Sequence, residues 1–371
     1  MRAAACTARA APLESAGLLR RMQSPSPRRP KARPASIRDV AELAGVSVGS
    51  ASRVINKVHN VTPETRDKVE QAITALNYRP NHAAQSLRLR SSRTVGCLLS
   101  DVTNSLYAKL FRALEERLRD AGYMMLLANS LNQVERELEI LSTFQARGMD
   151  GVLIAPANEG DPQVLAAVAA LEMPTVLLDR ELDAPIDRVL FDHIPGMQRV
   201  VSHLAGLGHR RIGLVVSDSP TRPMRHRIRG FRLQHEAIGL PLDESRIIRL
   251  PTGTSPAFDA VSALLARPRR PTALIALGTN VLNDTLGAIS VRGLRIPQDV
   301  SVVSLGDPYF AAHHMPPISA LRVALQQAGD TGSQLLLARM AGDDTAPRSI
   351  TLPCEFIDRQ SCGPAPGSSR G

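Results

Sequence analysis

The sequence predicts an α/β chain in which a short helical module precedes two lobes of doubly wound parallel sheet. From Arg93 onward, apolar strand-like runs alternate with amphipathic helices, a pattern typical of parallel sheets joined by crossover helices. The runs are mostly unbroken, as expected of strands that are covered on both faces. The alternation occurs in two series, and the second begins near residue 189. Two such series predict two lobes.

The elements of the two lobes follow in chain order. The first series predicts strands over 94–101, 123–130, 150–157 and 174–179, and helices over 105–121, 132–147 and 161–171. The second series predicts strands over 189–193, 211–217, 246–250, 273–278 and 299–306, and helices over 195–207, 223–238, 256–266 and 280–292. The last strands, over 318–323 and 348–361, are expected to return across the interface between the lobes.

Residues 36–90 carry a run of short helix signals. Ser36 is followed three residues later by Asp39, which is the start of a capping box. Ser47 can cap a second helix in the same way. Thr62 offers a capping hydroxyl, and the proline and glutamate that follow it suit the first turn of a third helix.

The stretch from 37 to 56 has the spacing of a helix-turn-helix. Small or apolar residues stand where two helices must cross closely, and a glycine stands where the turn needs a positive φ. A plain helical hairpin shares much of this pattern and remains the alternative at this point. The matching positions are Val40, Ala41, Gly45, Ala51 and Val54.

The positive charge of the chain lies in its first quarter. The 371 residues carry 45 Lys and Arg against 35 Asp and Glu, a formal net charge of +10. Residues 1–93 hold 17 basic and 6 acidic residues, whereas the remainder holds 28 and 29. This asymmetry favours a polyanion-binding module, although a disordered basic tail would give the same balance. Residues 36–93 hold only nine basic and five acidic residues, so the tail before them carries most of the excess.

Several classes of protein are excluded or disfavoured by what the sequence lacks. No apolar run approaches the roughly 18 residues of a membrane-spanning helix. The four cysteines form no C-x-x-C pair, which is unlike a zinc module and typical of a reducing, intracellular compartment. There is no P-loop, nucleotide-binding glycine loop or G-x-S-x-G elbow, so we expect no enzyme, no cofactor and no metal site.

Both termini are predicted to be disordered. Residues 1–35 are rich in Ala, Arg and Pro and show no periodicity that would hold a fold. We hypothesise that translation begins at Met22, within this tail. Residues 361–371 form a second predicted tail, and they lack the leucine heptads of a tetramerising coiled coil.

The run SIRDVAELAGVSVGSASRVINKVHNVTPETRDKVEQAITALNYRPNHAAQSLR resembles the headpiece of the LacI/GalR repressor family. The resemblance continues in GLGHRRIGLV, RGF, RGLRIPQDVSVVSLGD and PPISALR, and it spans about residues 36–360. It implies a cytoplasmic, homodimeric transcriptional repressor that binds palindromic double-stranded DNA. A two-lobed, periplasmic-binding-protein-like core would bind a small-molecule effector. The implied domains are a helix-turn-helix headpiece (36–80), a hinge helix and linker (81–92) and the core (93–360).

The same resemblance places the helix after Ser47 in the major groove. Val48, Gly49 and Arg53 match base-reading positions, and Arg53 can donate two hydrogen bonds to guanine O6 and N7. Gly49 weakens the helix, and it either admits DNA closely or reads nothing. Leu87 matches the hinge leucine that is wedged between base pairs from the minor groove. Phosphate contacts or helix capping are expected from Ser47, Ser50, Ser52, Asn56, Arg79 and Asn81.

The effector is expected between the lobes, at the carboxyl ends of the strands. Arg227 stands where the family often uses arginine to bind sugar hydroxyls. The residues expected to bind the effector are Asp101, Asn104, Leu106, Tyr107, Arg180, Asp192, His193, Arg227, Asn280 and Asp307.

The chain departs from the family pattern at His193, Val281 and Gly306, where Asn, Asp and Asp are common. Two acceptors are therefore missing, while further arginines crowd the segment around Arg227. This balance favours a sugar acid or a phosphorylated sugar over a neutral sugar. The neighbouring Arg222, Arg225 and Arg229 can equally be coating an exposed helix.

An exported solute-binding protein shares this core fold and is the alternative reading. Such a protein needs an export signal and has no use for a helix-turn-helix, so the headpiece argues against it.

Overall fold

The computed structural model of the protein describes residues 33, 35–56, 60–79, 91–251 and 257–367. The chain divides into two compact units, with the boundary between residues 81 and 82. The predicted basic tail (1–35) and hinge helix (81–92) fall almost wholly outside the described residues. The two units are described separately below.

The first unit contains the helices α1 (Ile37–Leu43), α2 (Val48–Ile55) and α3 (Pro63–Ala75). Each begins at a predicted cap: the side chains of Ser36, Ser47 and Thr62 accept hydrogen bonds from the backbone of the first turn. Ser36 and Asp39 form a complete capping box. The turn between α1 and α2 contains Gly45 at φ +64°, the conformation that this position was predicted to need. The core of the unit consists of Val40, Ala41, Ala44, Ala51, Val54, Val69 and Ala72.

The second unit contains the two lobes. Its first elements are β1 (Thr94–Leu99), α4 (Ser105–Asp120), β2 (Met124–Asn129), α5 (Val134–Ala146), β3 (Gly151–Ala155), α6 (Pro162–Ala169), β4 (Thr175–Leu178), β5 (Asp187–Phe191), α7 (His193–Gly206) and β6 (Ile212–Ser217). Then follow α8 (Arg222–Ala237), β7 (Ile247–Leu250), α9 (Ala257–Leu265), β8 (Ala273–Leu277), α10 (Thr279–Val291), β9 (Ser301–Leu305), α11 (Tyr309–His313), β10 (Ser319–Val323), α12 (Leu325–Met340), β11 (Ser349–Leu352) and β12 (Cys354–Ile357).

Each lobe is built on one sheet. Within the described residues, the first sheet has the strand order β11-β5-β4-β3-β1-β2 and the second β12-β10-β9-β8-β6-β7. All neighbours are parallel except β10 and β12, which pair antiparallel. The strand order reverses at β1 in one lobe and at β6 in the other, as in doubly wound folds. The predicted fold class is therefore confirmed.

The chain passes between the lobes at the ends of three strands. It leaves the first lobe after β5, returns from β10 into α12, and leaves again between β11 and β12. The prediction of a single strand over 348–361 is wrong, because Pro353 separates β11 in the first sheet from β12 in the second. Proline has no N–H to donate to a ladder, so it suits this break.

The prediction that a disordered tail begins at residue 361 is wrong for residues 361–367. Ser361 is fully buried, and its hydroxyl donates to Val302 O and accepts from Ser319 N at 2.7 Å. The imidazole of His209 contacts Gly363 O and Ser301 Oγ through Nε2, at 3.0 and 2.9 Å. These polar partners attach the segment to the second lobe, and composition alone does not reveal them.

Candidate functional site

Helix α2 presents one face to the core of its unit and the other to solvent. Ala51 and Val54 are buried, whereas Val48, Gly49 and Arg53 are exposed, Val48 to 44%. The three predicted base-reading residues therefore share the outer face of α2. Arg53 makes no ion pair with any described residue, so its guanidinium is available to a partner.

The polar residues of α2 partly bind one another. Ser47 Oγ accepts from Ser50 N at 3.1 Å and lies 3.0 Å from Ser50 Oγ. Asn56 Nδ2 donates to Ser52 Oγ at 3.2 Å. Ser47 thus has a capping role in the free protein, as the capping alternative predicted. Arg79 is exposed at the end of the unit, and Asn81 and Leu87 lie outside the described residues.

No crowding within the headpiece requires a glycine at position 49. A Cβ at this position would meet only Ser47 Oγ, at an ordinary 3.7 Å. The helix would therefore accept a larger residue, and the outer surface at Gly49 is open. The bare backbone leaves room for a close partner at this point of α2.

The second unit contains a cavity of about 370 Å³ between the two lobes. It lies where the carboxyl ends of β1, β4 and β5 face those of β6, β7 and β8, which is the predicted position. Eight of the ten predicted residues line it: Asp101, Asn104, Leu106, Tyr107, Arg180, His193, Arg227 and Asn280.

Two predicted residues do not line this cavity. Asp192 is exposed to solvent just before α7. Asp307 follows Gly306, whose φ of +106° turns the chain, and both of its carboxylate oxygens accept from Arg359 at 2.9 Å. The prediction that Asp192 and Asp307 line the cavity is therefore wrong. Each follows a strand end, but the side chain of Asp192 faces solvent and that of Asp307 binds Arg359.

Asp179 is the polar centre of the cavity wall. Its Oδ2 lies 2.8 Å from His193 Nε2, and its Oδ1 accepts from Arg222 Nη1 and from the backbone N–H of Phe191, both at 3.2 Å. Burial alone would raise the pKa of Asp179, but His193, Arg180 and neighbouring cations outweigh it and hold the pKa below its ordinary value. Asp179 is therefore an ionised carboxylate whose two oxygens are both occupied.

His193 acts in this wall as a neutral donor. Burial lowers its pKa, and the nearby carboxylate of Asp179 offsets this only in part. An acceptor as strong as Asp179 requires the proton on Nε2. The other ring nitrogen, Nδ1, lies 3.9 Å from the sulfur of Cys354. The ring therefore orients Asp179 rather than offering free polar groups to the cavity.

Arg180 is hydrogen-bonded through each of its three guanidinium nitrogens. It is 3% exposed, and its Nε donates to Pro156 O, its Nη1 to Asp179 O at 3.0 Å and its Nη2 to Tyr107 OH at 3.0 Å. Tyr107 OH in turn lies 3.0 Å from Ser100 Oγ. This chain of bonds fixes the tyrosine ring against the cavity.

Arg227 differs from Arg180 in making no hydrogen bond to any described residue. It is 8% exposed and lines the cavity, yet its Nε finds no acceptor among the described residues, and no ion pair forms there. Burial lowers the pKa of Arg227 in spite of the opposing field of Asp179. The three neighbouring arginines of α8 do not line the cavity: Arg222 is buried against Asp179, Arg225 binds Glu159 at 2.7 Å, and Arg229 is exposed.

Sequence reasoning missed several residues of the cavity wall. Asp179 stands directly after β4, at the same strand end as Arg180. The remaining wall is largely apolar or hydroxylated, and such residues carry no distinctive signal. These are Leu110, Leu178, Phe191, Ser217, Thr221, Met224 and Leu277.

No metal site or membrane helix is found in the parts of the chain that the structure describes. No three His, Cys, Asp or Glu side chains there are close enough to hold a metal ion. None of the helices in the same ranges is both long enough and apolar enough to cross a bilayer.

Two family profiles match the chain. Residues 36–81 match the bacterial regulatory proteins of the lacI family, and residues 201–362 match a periplasmic binding protein-like domain. Among similar proteins, the HTH-type transcriptional regulator DegA of Bacillus subtilis (strain 168) is 28% identical over 332 residues, covering 89% of this chain and 98% of the relative. The HTH-type transcriptional repressor PurR of Escherichia coli O139:H28 is 29% identical, covering 90% and 98%.

Solved structures give the same result. A lac repressor dimer bound to operator and the anti-inducer ONPF superposes with a TM-score of 0.78 at 26% identity, covering 89% of this chain and all of that one. The transcriptional regulator CelR in complex with cellobiose superposes with a TM-score of 0.64 at 27% identity, covering 88% and 99%. The first unit is thus a lacI-family DNA-binding domain, and the chain is similar over nearly its whole length to bacterial transcriptional regulators that have such a domain and a two-lobed core.

Proposed function

We propose that this protein is a transcriptional repressor that binds a specific operator and is controlled by a small molecule held between its lobes. The observation that carries this proposal is the combination, in one chain, of a helix-turn-helix with a free outer face and a two-lobed unit with a polar cavity at its strand ends. The regulators DegA and PurR match along nearly the whole chain, which supports regulation rather than solute transport or catalysis.

In this proposal, α2 reads bases in the major groove. Arg53 donates to guanine O6 and N7, and Val48 makes an apolar contact. Gly49 lets the DNA backbone or a base edge approach closely. Phosphate contacts that set the register come from Ser47, Ser50, Ser52, Asn56, Arg79 and Asn81. Leu87 would act from the minor groove.

The effector class we propose is a sugar or a sugar derivative. The CelR structure holds cellobiose, and a LacI-family regulator from Enterococcus faecium holds ribose. In this chain Arg227, Asn104 and Asn280 offer N–H donors that suit hydroxyl or acid oxygens, beside the rings of Tyr107 and Phe191.

We further propose that the protein is a homodimer that acts in the cytoplasm, where its operator is. The lac repressor structure contains a dimer on operator DNA. In this chain the sheet edge formed by β2 exposes Met124, Leu126 and Leu127, Met124 to 66%, and Leu131 follows it at the surface. Apolar side chains on an open strand edge are unusual in a monomer and suit a partner subunit.

Coupling between the cavity and DNA follows from contacts that join the lobes. Ser105 Oγ lies 2.8 Å from Thr279 Oγ1, and Arg225 Nη1 of the second lobe donates to Glu159 of the first at 2.7 Å. A ligand that touches both lobes favours one lobe angle over another. It thereby shifts the equilibrium between DNA-competent and incompetent forms of the dimer.

Selection of genomic fragments by the purified full-length protein tests the proposal. We expect enrichment of palindromic sites, whose retardation in a gel at fixed salt changes when small molecules are added. Enrichment without a common sequence would contradict specific DNA binding. Sequence-specific binding that no sugar or sugar acid alters would contradict effector control.

A further inference from the structure

The polar groups of the inter-lobe cavity are unbalanced in favour of donors. Both oxygens of Asp179, its deepest carboxylate, are already bound by His193, Arg222 and a backbone N–H. Asp101, the other lining carboxylate, is half-buried and uses Oδ1 to accept from the N–H and hydroxyl of Thr103. One oxygen of Asp101 therefore remains as an anionic acceptor.

The side-chain amide of Asn104, at the same edge of the cavity, has its NH₂ donors free. Asn104 Oδ1 accepts from Leu106 N at 3.1 Å, which leaves its NH₂ group for the cavity. Leu106 fills the space beside Gly306, where a built Cβ would overlap its side chain. No acidic side chain can stand at that position without displacing Leu106.

Arg227 is the donor that lacks an acceptor. Its side chain is buried, it faces the cavity, and its Nε has no partner among the described residues. An unpaired buried charge strongly destabilises a folded protein. Arg180, on the opposite wall, shows that this chain satisfies a buried guanidinium where it has a structural role. The Nε of Arg222 is also buried without a partner, but Arg222 is held through Nη1 and does not line the cavity. Of the three arginines, Arg227 alone lines the cavity and makes no hydrogen bond to a described residue, so an acceptor on a ligand would meet it there.

We infer that the effector carries an oxyanion, a carboxylate or a phosphate, that binds the guanidinium of Arg227. This inference rests on the proposed function, since it names the chemical class of the molecule that the cavity binds. A planar guanidinium can donate two hydrogen bonds to sugar hydroxyls as well, but the two parallel bonds to an oxyanion are charge-assisted and therefore stronger. The apolar wall formed by Leu110, Leu178 and Leu277 receives the carbon skeleton.

Calorimetric titration of the full-length protein at constant ionic strength tests the inference. The probes are matched pairs that differ in the oxyanion: gluconate and glucose, glucose 6-phosphate and glucose, ribose 5-phosphate and ribose, together with inorganic phosphate. Arg227→Met removes the guanidinium at similar length, Arg227→Lys keeps the charge but loses the fork, and Arg229→Met makes the same change on the exposed face of α8.

We expect an acid or a phosphorylated probe to bind at least about tenfold more tightly than its neutral parent. Arg227→Met should weaken that binding by about 10- to 100-fold, Arg227→Lys by less, and Arg229→Met not at all. The carboxylate and phosphate arms then identify which oxyanion is preferred. A neutral sugar that binds more tightly than its acid, unchanged affinity in Arg227→Met, or no binding of any oxyanion probe would each overturn the inference.

A gel shift on the same proteins separates this inference from the proposed function. Arg229→Met, which lies outside the cavity, should bind the operator as wild type does. If the operator is bound specifically but neutral sugars are preferred, only the oxyanion inference fails. If wild type binds no DNA sequence preferentially, the proposed function fails whatever the calorimetry shows.

Discussion

At the scale of single residues, three buried polar side chains have different roles. His193 and Asp179 satisfy each other, whereas Arg227 faces the cavity without a partner. Asp179 follows the end of β4 and His193 begins α7, whereas Arg227 lies in the second turn of α8. The sequence could not rank them, because hydrogen-bond partners are fixed by side-chain directions in three dimensions.

Replacement of Arg53 by alanine should weaken operator binding by about 1–3 kcal/mol, mostly at one base pair of each half-site, because a bidentate contact to guanine is lost. Arg79→Ala, which removes a proposed phosphate contact, should weaken binding to all sequences alike. Binding to a set of single-base operator variants measures both effects. If Arg53→Ala weakens binding to every operator variant by the same factor, Arg53 does not read a base.

His209 should make the protein sensitive to acid. Burial lowers the pKa of His209 below its ordinary value, and the hydrogen bond to Gly363 O opposes this shift without cancelling it. The unfolded chain therefore takes up a proton near pH 6.5 that the folded chain does not bind, and the stability that is present above this pH is lost as pH falls.

His209→Gln should reduce this pH dependence of stability, whereas His313→Gln, at an exposed histidine, should not. Urea unfolding from pH 7.5 to 5.5 measures the two slopes, and equal slopes for His209→Gln and wild type would contradict this.

At the scale of elements, sequence patterns predicted the strands and most helices but missed α12. This helix has Gly329 and Gly332 in its interior, which lower helix propensity and obscure the periodicity. The structure gives the reason for one of them, because a Cβ at Gly329 would overlap Ala113 of α4. Close packing between α12 and α4 depends on partners more than 200 residues away in the chain, so no local pattern reveals it.

A similar close approach joins α7 and α8. A Cβ at Gly230 would lie 2.7 Å from Ile194 O and 3.0 Å from Met197 Cβ. Gly230→Ala should therefore lower the free energy of unfolding by about 1–3 kcal/mol, since backbone must move. Gly206→Ala, near the end of α7 with nothing within 4 Å, should be neutral or stabilising. Urea unfolding measures the free energy of unfolding of both variants. Equal values for the two would show that α7 and α8 can move apart at Gly230 without loss of stability.

At the scale of the whole molecule, the exposed edge of β2 is the feature that a monomer does not explain. The strand was predicted to be covered on both faces, but Met124, Leu126 and Leu127 are exposed. An apolar run has the same sequence whether a crossover helix or a second subunit covers it. The predicted burial of β2 on both faces is therefore correct only in a dimer, where a partner subunit covers the exposed face.

The double variant Met124→Glu, Leu126→Glu should shift the protein from dimer to monomer, because it places charges on a face that a partner would bury. Operator affinity should fall with it, since one headpiece contacts only a half-site. Val291→Glu, which adds a charge at an exposed apolar site of the second lobe, is the control. Sedimentation velocity measures the mass, and a double variant that stays as dimeric as wild type would place the interface elsewhere.

The ratio of affinities for a selected operator and for a scrambled duplex of the same length tests the central claim most directly. Both dissociation constants are measured for the full-length protein at one salt concentration, because phosphate contacts alone bind any sequence. A helix that reads bases through Arg53 and Val48 predicts a ratio of about 10³ or more in favour of the operator. A ratio near one would show that the headpiece binds DNA by charge alone, and it would contradict the assignment of this protein as a sequence-specific regulator.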